Sequence, residues 1–300
     1  MTELSRQILA RWQIRKTKKQ KSDFIAFLQK ELGEENVRVE QAGTFRSRNI
    51  VIGNVDEAEF VLAAHYDTQP VLPFPNFLPP KNMPLYIGYS LLLMLGFFLV
   101  EFLLGFVLAW LDVPSDAAFL ICYGTLLGFL GLMFFGPANK HTANDNTSGV
   151  ITVLEAYADE DIRRRAAFVL FDHEEMGLLG SAAFAKMHKA ALKTKPVINL
   201  DCVGDGDTVM VILSKRAKHL APSMEAAFPP VGQKSALITD ARHTLYPSDQ
   251  MNFPMGVGVA AFRRAPVIGY YISRIHTPKD TVLEEENVHF ILDGIRRFTV

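Results

Sequence analysis

Two apolar runs set back to back constrain this chain more than anything else in it. From Leu85 to Leu111 nearly every residue is apolar, with Glu101 as the one charged interruption. After the short link Asp112–Asp116, which contains Pro114, a second apolar run covers Ala117–Phe135. As helices rising 1.5 Å per residue they would be about 40 and 28 Å long, enough to cross roughly 30 Å of hydrocarbon. Neither shows the apolar stripe of a helix lying on a core, and two such neighbours are hard to bury in a chain of 300 residues. They read as a transmembrane hairpin, residues 85–135. The hairpin explains a hydrophobic content of 49%. The formal net charge of −1 supplies no basic field for nucleic acid. One dense basic cluster, Arg15 to Lys21, reads as a solvated helix face, with anionic lipid head groups as the alternative contact.

Outside the hairpin the pattern is that of an α/β domain in two pieces, residues 1–84 and 136–300. A helix is expected from about Leu4 to Leu32, ending near Gly33. Short β-like runs follow at Asn36–Glu40, Asn49–Gly53 and Phe60–Ala64. A stretch holding Pro70, Pro73, Pro75, Pro79, Pro80 and Pro84 excludes regular helix or central strand. Beyond the hairpin, helices are expected over Ser148–Ala158, after Gly177 and from Glu286, with strands at Ala167–Phe171, Val197–Leu200, Val209–Leu213 and Val257–Phe262. This alternation implies a mostly parallel mixed sheet with helices on both faces, whose chemistry gathers beyond the carboxyl ends of the strands.

Five loops place acids or imidazoles there: His65 and Asp67; Asp145; Glu174 and Glu175; Asp201; and His276. Borderline divalent cations such as zinc take imidazole nitrogen and carboxylate oxygen. Two imidazoles and three carboxylates can hold two such ions if one carboxylate bridges them. His141 and His173 lie beside these loops but read as loop residues. Cys122 and Cys202 sit in unlike settings and indicate no disulfide framework, which is compatible with a reducing compartment. The N-terminus lacks an apolar core of signal-peptide length.

The strings AAHYDT, ANDNTSGV, LFDHEEMGLLGS, INLDCVGDGD and IHTPKDT, in this order, resemble the co-catalytic zinc peptidases of the bacterial leucyl aminopeptidase and aminopeptidase Y type, family 28 of the metallopeptidases. The resemblance covers about 220 residues and leaves out the hairpin. It implies a zinc-exopeptidase fold of the phosphorylase/hydrolase-like kind. It implies that His65, Asp145 and Asp201 hold one Zn2+, that Asp145, Glu175 and His276 hold the other, and that the Asp145–Asn146 peptide bond is cis; Co2+ or Mn2+ could substitute. Glu174 would be the general base that takes a proton from an attacking water. Asp67 would orient the His65 imidazole. Where the family often carries Tyr before its last His ligand this chain has Ile275, so Tyr246 becomes the candidate for oxyanion stabilisation, with a packing role as the alternative. Gln250 stands where the family's Ser-Asp-His pattern has histidine.

His65 precedes the apolar pair and the other donors follow it. They can meet only if both flanks lie on one side of a bilayer, as two spans allow and one or three would not. The link Asp112–Asp116 has no Lys or Arg, whereas Lys81 and Lys140 flank the hairpin's base, so the catalytic domain is expected in the cytoplasm. The expected whole is a membrane-anchored aminopeptidase with a peptide substrate, apolar and membrane-proximal. The spacing of Gly124 and Gly128 allows a homo-oligomer through the hairpin. A carboxypeptidase or glutaminyl cyclase on the same fold is the nearest alternative, and a non-catalytic receptor or scaffold a further one.

Overall fold

In the computed structural model, which describes all 300 residues, the single N-terminal helix expected above is two: α1 (Glu3–Arg11) and α2 (Lys18–Leu32). The break contains neither Gly nor Pro. Thr17 caps α2 in a reciprocal box with Gln20, and Arg15 turns its side chain into the protein. The basic cluster is therefore not one solvated face. Arg15 and Lys21 are buried, Lys21 against Asp172, and Lys16 reaches the Phe134 carbonyl. Only Lys18 and Lys19 of its basic side chains are exposed.

The rest follows in order as β1 (Val37–Ala42), β2 (Ser47–Ile52), β3 (Phe60–His65), α3 (Met83–Trp110), α4 (Ser115–Phe135), α5 (Gly149–Ala158), α6 (Glu160–Arg163), β4 (Ala166–Phe171), α7 (Leu179–Met187), β5 (Val197–Leu200), β6 (Thr208–Leu213), α8 (Ala221–Ala227), β7 (Ser235–Asp240), β8 (Gly256–Ala265), β9 (Gly269–Tyr271) and α9 (Glu285–Arg297). The strands form one mixed sheet in the order β1-β2-β4-β3-β5-β8-β6-β7, with β9 on β8. Its centre, β4-β3-β5-β8, is parallel, and antiparallel pairs flank it at β2/β4 and β6/β8.

Alternation along β3 shows how the layers are held. Phe60, Leu62 and Ala64 join the larger core with Val150 and Val153 of α5 and Ile291 of α9. Val61 and Ala63 face the other way, towards Phe184 of α7 and Phe253. All are fully or almost fully buried, each large side chain contributing about 1.5–3 kcal/mol. Helices thus cover both faces, as a parallel centre requires.

α3 and α4 stand apart from this core. Both are long and apolar enough to cross a membrane, and Leu108 is their one buried residue. They lean on each other through Phe97 and Phe129, with ring centroids 4.9 Å apart. One carboxylate oxygen of Glu101 is shielded without a hydrogen-bond partner. Apart from the neighbouring backbone of α4 itself, no atom lies within 4 Å of where a Cβ on Gly124 or Gly128 would stand, so α3 does not consume that small-residue spacing. At the hairpin's base the two strands of chain are stitched together: the Val71 N–H donates to the Pro137 carbonyl (2.9 Å) and the Asn139 N–H to the Gln69 carbonyl (3.0 Å). The insertion therefore returns the chain beside the point where it left.

Candidate metal centre

The central strands end together. His65 closes β3, Asp172–Glu175 follow β4 and Asp201 follows β5, so three loops converge where β3 lies between its two parallel neighbours. Asp145 and His276 arrive from loops beyond. Asp145 divides its carboxylate: Oδ1 lies 3.3 Å from His65 Nε2 and Oδ2 lies 3.0 Å from His276 Nε2. Asp201 Oδ1 is 3.6 Å from His65 Nε2, and Glu175 Oε2 is 3.7 Å from His276 Nε2. Two donor groups result, His65-Asp145-Asp201 and Asp145-Glu175-His276, each with its donor atoms within 4.8 Å of one another. Glu174 forms a third grouping with His65 and Glu175.

The electrostatics of the cluster call for positive charge. Burial, with Glu175, Asp249 and Asp201 alongside, pushes Glu174 well above the ordinary carboxylate range, against the pull of His65. Burial and the Asp145 charge do the same to Glu175. Burial alone would lower His65, yet Glu174, Asp145 and Asp201 together drive it well upward. His65 Nδ1 and Asp201 Oδ1 are buried without hydrogen-bond partners. Imidazoles and carboxylates in this arrangement fit a pair of divalent cations.

Around these donors the loops are fixed by hydrogen bonds. The Asp145–Asn146 bond is cis, as the resemblance implied. Asp280 accepts from the Asn144 and Asp145 N–H groups (2.8 and 2.9 Å). Asn146 donates to the Leu200 carbonyl (2.9 Å) and accepts from the Gly149 N–H (3.0 Å). A Cβ on Gly149 would stand 2.3 Å from the Leu200 carbonyl oxygen, so only glycine lets α5 start this close to β5. Gln69, with its amide turned to satisfy both ends, donates to Glu175 Oε1 (2.7 Å) and accepts from the His276 N–H (3.2 Å). The buried Arg15 guanidinium donates to the Tyr66 carbonyl (2.5 Å) and to Thr147 Oγ1 (3.2 Å), tying the His65 loop to the Asp145 loop.

Two expected contacts take a different form. Asp67 lies 3.5 Å from His65 Nδ1, but its oxygens accept from the Glu174 and Glu175 N–H groups at 3.0 and 3.3 Å; it holds the acidic pair more firmly than the imidazole. The Tyr246 hydroxyl donates to the Asp201 carbonyl (2.9 Å), so its single proton supports the Asp201 loop. Gln250 donates to the Tyr246 carbonyl (2.8 Å) and accepts from Asn199 (3.1 Å). His173 Nδ1 is 2.9 Å from Ser47 Oγ and His141 is exposed; neither enters a donor group.

Sequence reading gave Gln69, Arg15, Asp249 and Asp280 no part in the site. Asp280 lies inside the quoted string IHTPKDT and Asp249 inside the altered Ser-Asp pattern, so both had a signal. Asp249 is buried with both oxygens lacking a hydrogen-bond partner, and burial pushes it up to about 7.

The signature of peptidase family M28 matches residues 128–290, which spans Asp145, Glu174, Glu175, Asp201 and His276. The chain belongs to peptidase family M28. Membership makes it a peptidase or a related enzyme. No curated protein is similar enough to this M28 chain to be matched. Among solved structures it is similar to the LapA aminopeptidase of Legionella pneumophila, at 14% identity and TM-score 0.54, over 99% of this chain and 68% of that one. It is similar also to an Acidobacteriales bacterium glutaminyl cyclase (15%, TM-score 0.58, 98% and 91%) and to a Macrostomum lignano glutaminyl cyclase (13%, TM-score 0.55, 99% and 88%). At such identities the likeness is one of fold.

Proposed function

We propose that this M28 chain is a membrane-anchored aminopeptidase using two zinc ions, with its catalytic domain in the cytoplasm. The observation that carries this reading is the divided Asp145 carboxylate, facing His65 on one side and His276 on the other. His65 and Asp201 would complete one site, Glu175 and His276 the other. Zinc bound there would supply Lewis acidity, polarising a peptide carbonyl and making a nearby water easier to deprotonate. Glu174, next to both donor groups, accepts the proton of the attacking water as its oxygen joins the carbonyl carbon. It then delivers that proton to the amine as the C–N bond breaks. Asp67 and Gln69 keep the acidic pair in place.

Two complete donor groups favour a peptidase over a cyclase that manages with one ion, and the presence of every donor and the base disfavours a receptor. The hairpin's charge pattern supports the cytoplasmic placement, and its position between donor loops supports a substrate that is apolar and near the bilayer. The test compares hydrolysis of free and N-acetylated peptides by the full chain in detergent, with and without chelator. Cleavage that requires a free amino terminus and stops on chelation is expected. Equal cleavage of acetylated peptides would remove the aminopeptidase assignment.

A further inference from the structure

The chain departs for α3 from the carboxyl end of β3, and two short β-hairpins project from the same end of the sheet. β2 is antiparallel to β4, so its first residue, Ser47, lies beside the end of β4, where Ser47 Oγ meets His173 Nδ1. The β1–β2 turn, residues 43–46, therefore sits at the end that holds the donor cluster. β8 is parallel to β5 and continues from Val259, the partner of Leu200, to Ala265. At about 3.3 Å per residue this carries the β8–β9 turn roughly 20 Å past the end of β5. β2 and β8 are separated in the sheet by β4, β3 and β5, a distance of about 19 Å. The two turns thus stand on either side of the strand that leads into the hairpin.

Each turn is tipped by an exposed apolar residue, Phe45 at 60% and Val267 at 99% exposure. Val267 is also β-branched with φ 67°, a left-handed conformation that disfavours such a side chain. It packs on nothing in the domain, so the fold does not account for valine at this place. Residues 41–48 and 263–271 include no Asp or Glu. Arg46 and Arg264 are exposed beside the tips. Arg46 donates to Gln41 (3.3 Å) and Arg264 lies 5.6 Å over the Tyr270 ring, so both keep an unpaired charge. The β8–β9 turn is also fastened to the start of α3: the side chain of Asn82, which caps that helix, donates to the Ile268 carbonyl (3.2 Å). An apolar tip beside a cation, tied to a helix apolar enough to span a membrane, matches a lipid–water interface, where the tip meets acyl chains and the guanidinium meets phosphate.

We propose that the β1–β2 and β8–β9 turns, through Phe45, Arg46, Arg264 and Val267, dock the donor-bearing end of the domain on the anionic leaflet that the hairpin enters. This deepens the membrane-anchored reading above and rests on it. The experiment uses the full chain in nanodiscs, carrying Cys122→Ser, with an environment-sensitive fluorophore on Thr44→Cys or Pro266→Cys; Cys202 is buried. Glu57→Cys, in the exposed β2–β3 turn at the opposite end of the sheet, and Leu127→Cys, within α4, are the references. The nanodiscs are phosphatidylcholine alone or with phosphatidylglycerol, and the quenchers are lipids bearing a nitroxide on the head group or the acyl chain. Quenching at residues 44 and 266 is expected to exceed that at residue 57 by roughly twofold or more, and to rise with phosphatidylglycerol. Phe45→Asp and Arg46→Glu should each lower it at residue 44, and Val267→Asp and Arg264→Glu at residue 266, by a similar factor. Quenching at either turn no greater than at residue 57, or indifferent to phosphatidylglycerol, overturns the proposal. So does a label shielded from a water-soluble quencher yet untouched by the lipid ones, which would put protein on the turns instead. Unquenched turns with a quenched label at residue 127 sink the docking surface alone, whereas an unquenched label at residue 127 sinks the membrane anchoring with it.

Discussion

Glu174 owes its place to Asp67, whose carboxylate accepts from the main chain of both glutamates. That leaves Glu174 beside His65 and Glu175 without a share in the divided Asp145 carboxylate. If Glu174 is the proposed general base it contributes about 10²–10⁴-fold, so Glu174→Gln should lose that much kcat while metal content stays at the wild-type level. Steady-state kinetics with elemental analysis checks it, and near-normal turnover at full metal content would end the role. The acids and imidazoles that cluster here were legible because each directly follows an apolar strand or sits in a short polar string. Their supports were not. Arg15 lies 132 residues from Thr147 and Gln69 is an ordinary polar residue in a loop; what each does depends on partners that only folding brings near.

At the scale of elements, α3 and α4 were plain in the sequence, since nothing but length and apolarity is needed to see them. α3 begins at Met83, two residues before the expected run, because Asn82 accepts from the Leu85 N–H and Pro84 suits a first turn. The gap between α1 and α2 was hidden, because a capping box is the one local signal of it and the cause is Arg15's burial. β7 and β9 also escaped. Neither has a buried residue, so neither shows the apolar run that marks a central strand. For the hairpin, a Pro114→Cys variant without Cys122 should react with an impermeant maleimide on intact cells, and Lys140→Cys only after permeabilisation. Reaction of both on the same side would contradict a spanning hairpin, and the reverse pattern would contradict cytoplasmic placement.

For the whole molecule, the decisive arrangement is that β3, before the hairpin, lies between β4 and β5, after it. The sheet therefore closes only when the inserted hairpin returns the chain to its starting side, as the bonds between residues 69–71 and 137–139 require. Requiring His65 and Asp145 to meet gave the same condition from sequence. How the loops share their carboxylates could not be read that way, because it depends on distances of a few ångströms between residues far apart in the chain. Five acidic side chains meet two imidazoles in a largely buried cluster, and such a collection is costly without cations. The direct test is zinc titration of the metal-free chain, with elemental analysis of wild type and Asp145→Asn. Two tightly held equivalents per wild-type chain, with weakened binding at both sites in the variant, are expected. A single equivalent in the wild type, or two undiminished equivalents in the variant, would contradict a carboxylate shared between two ions.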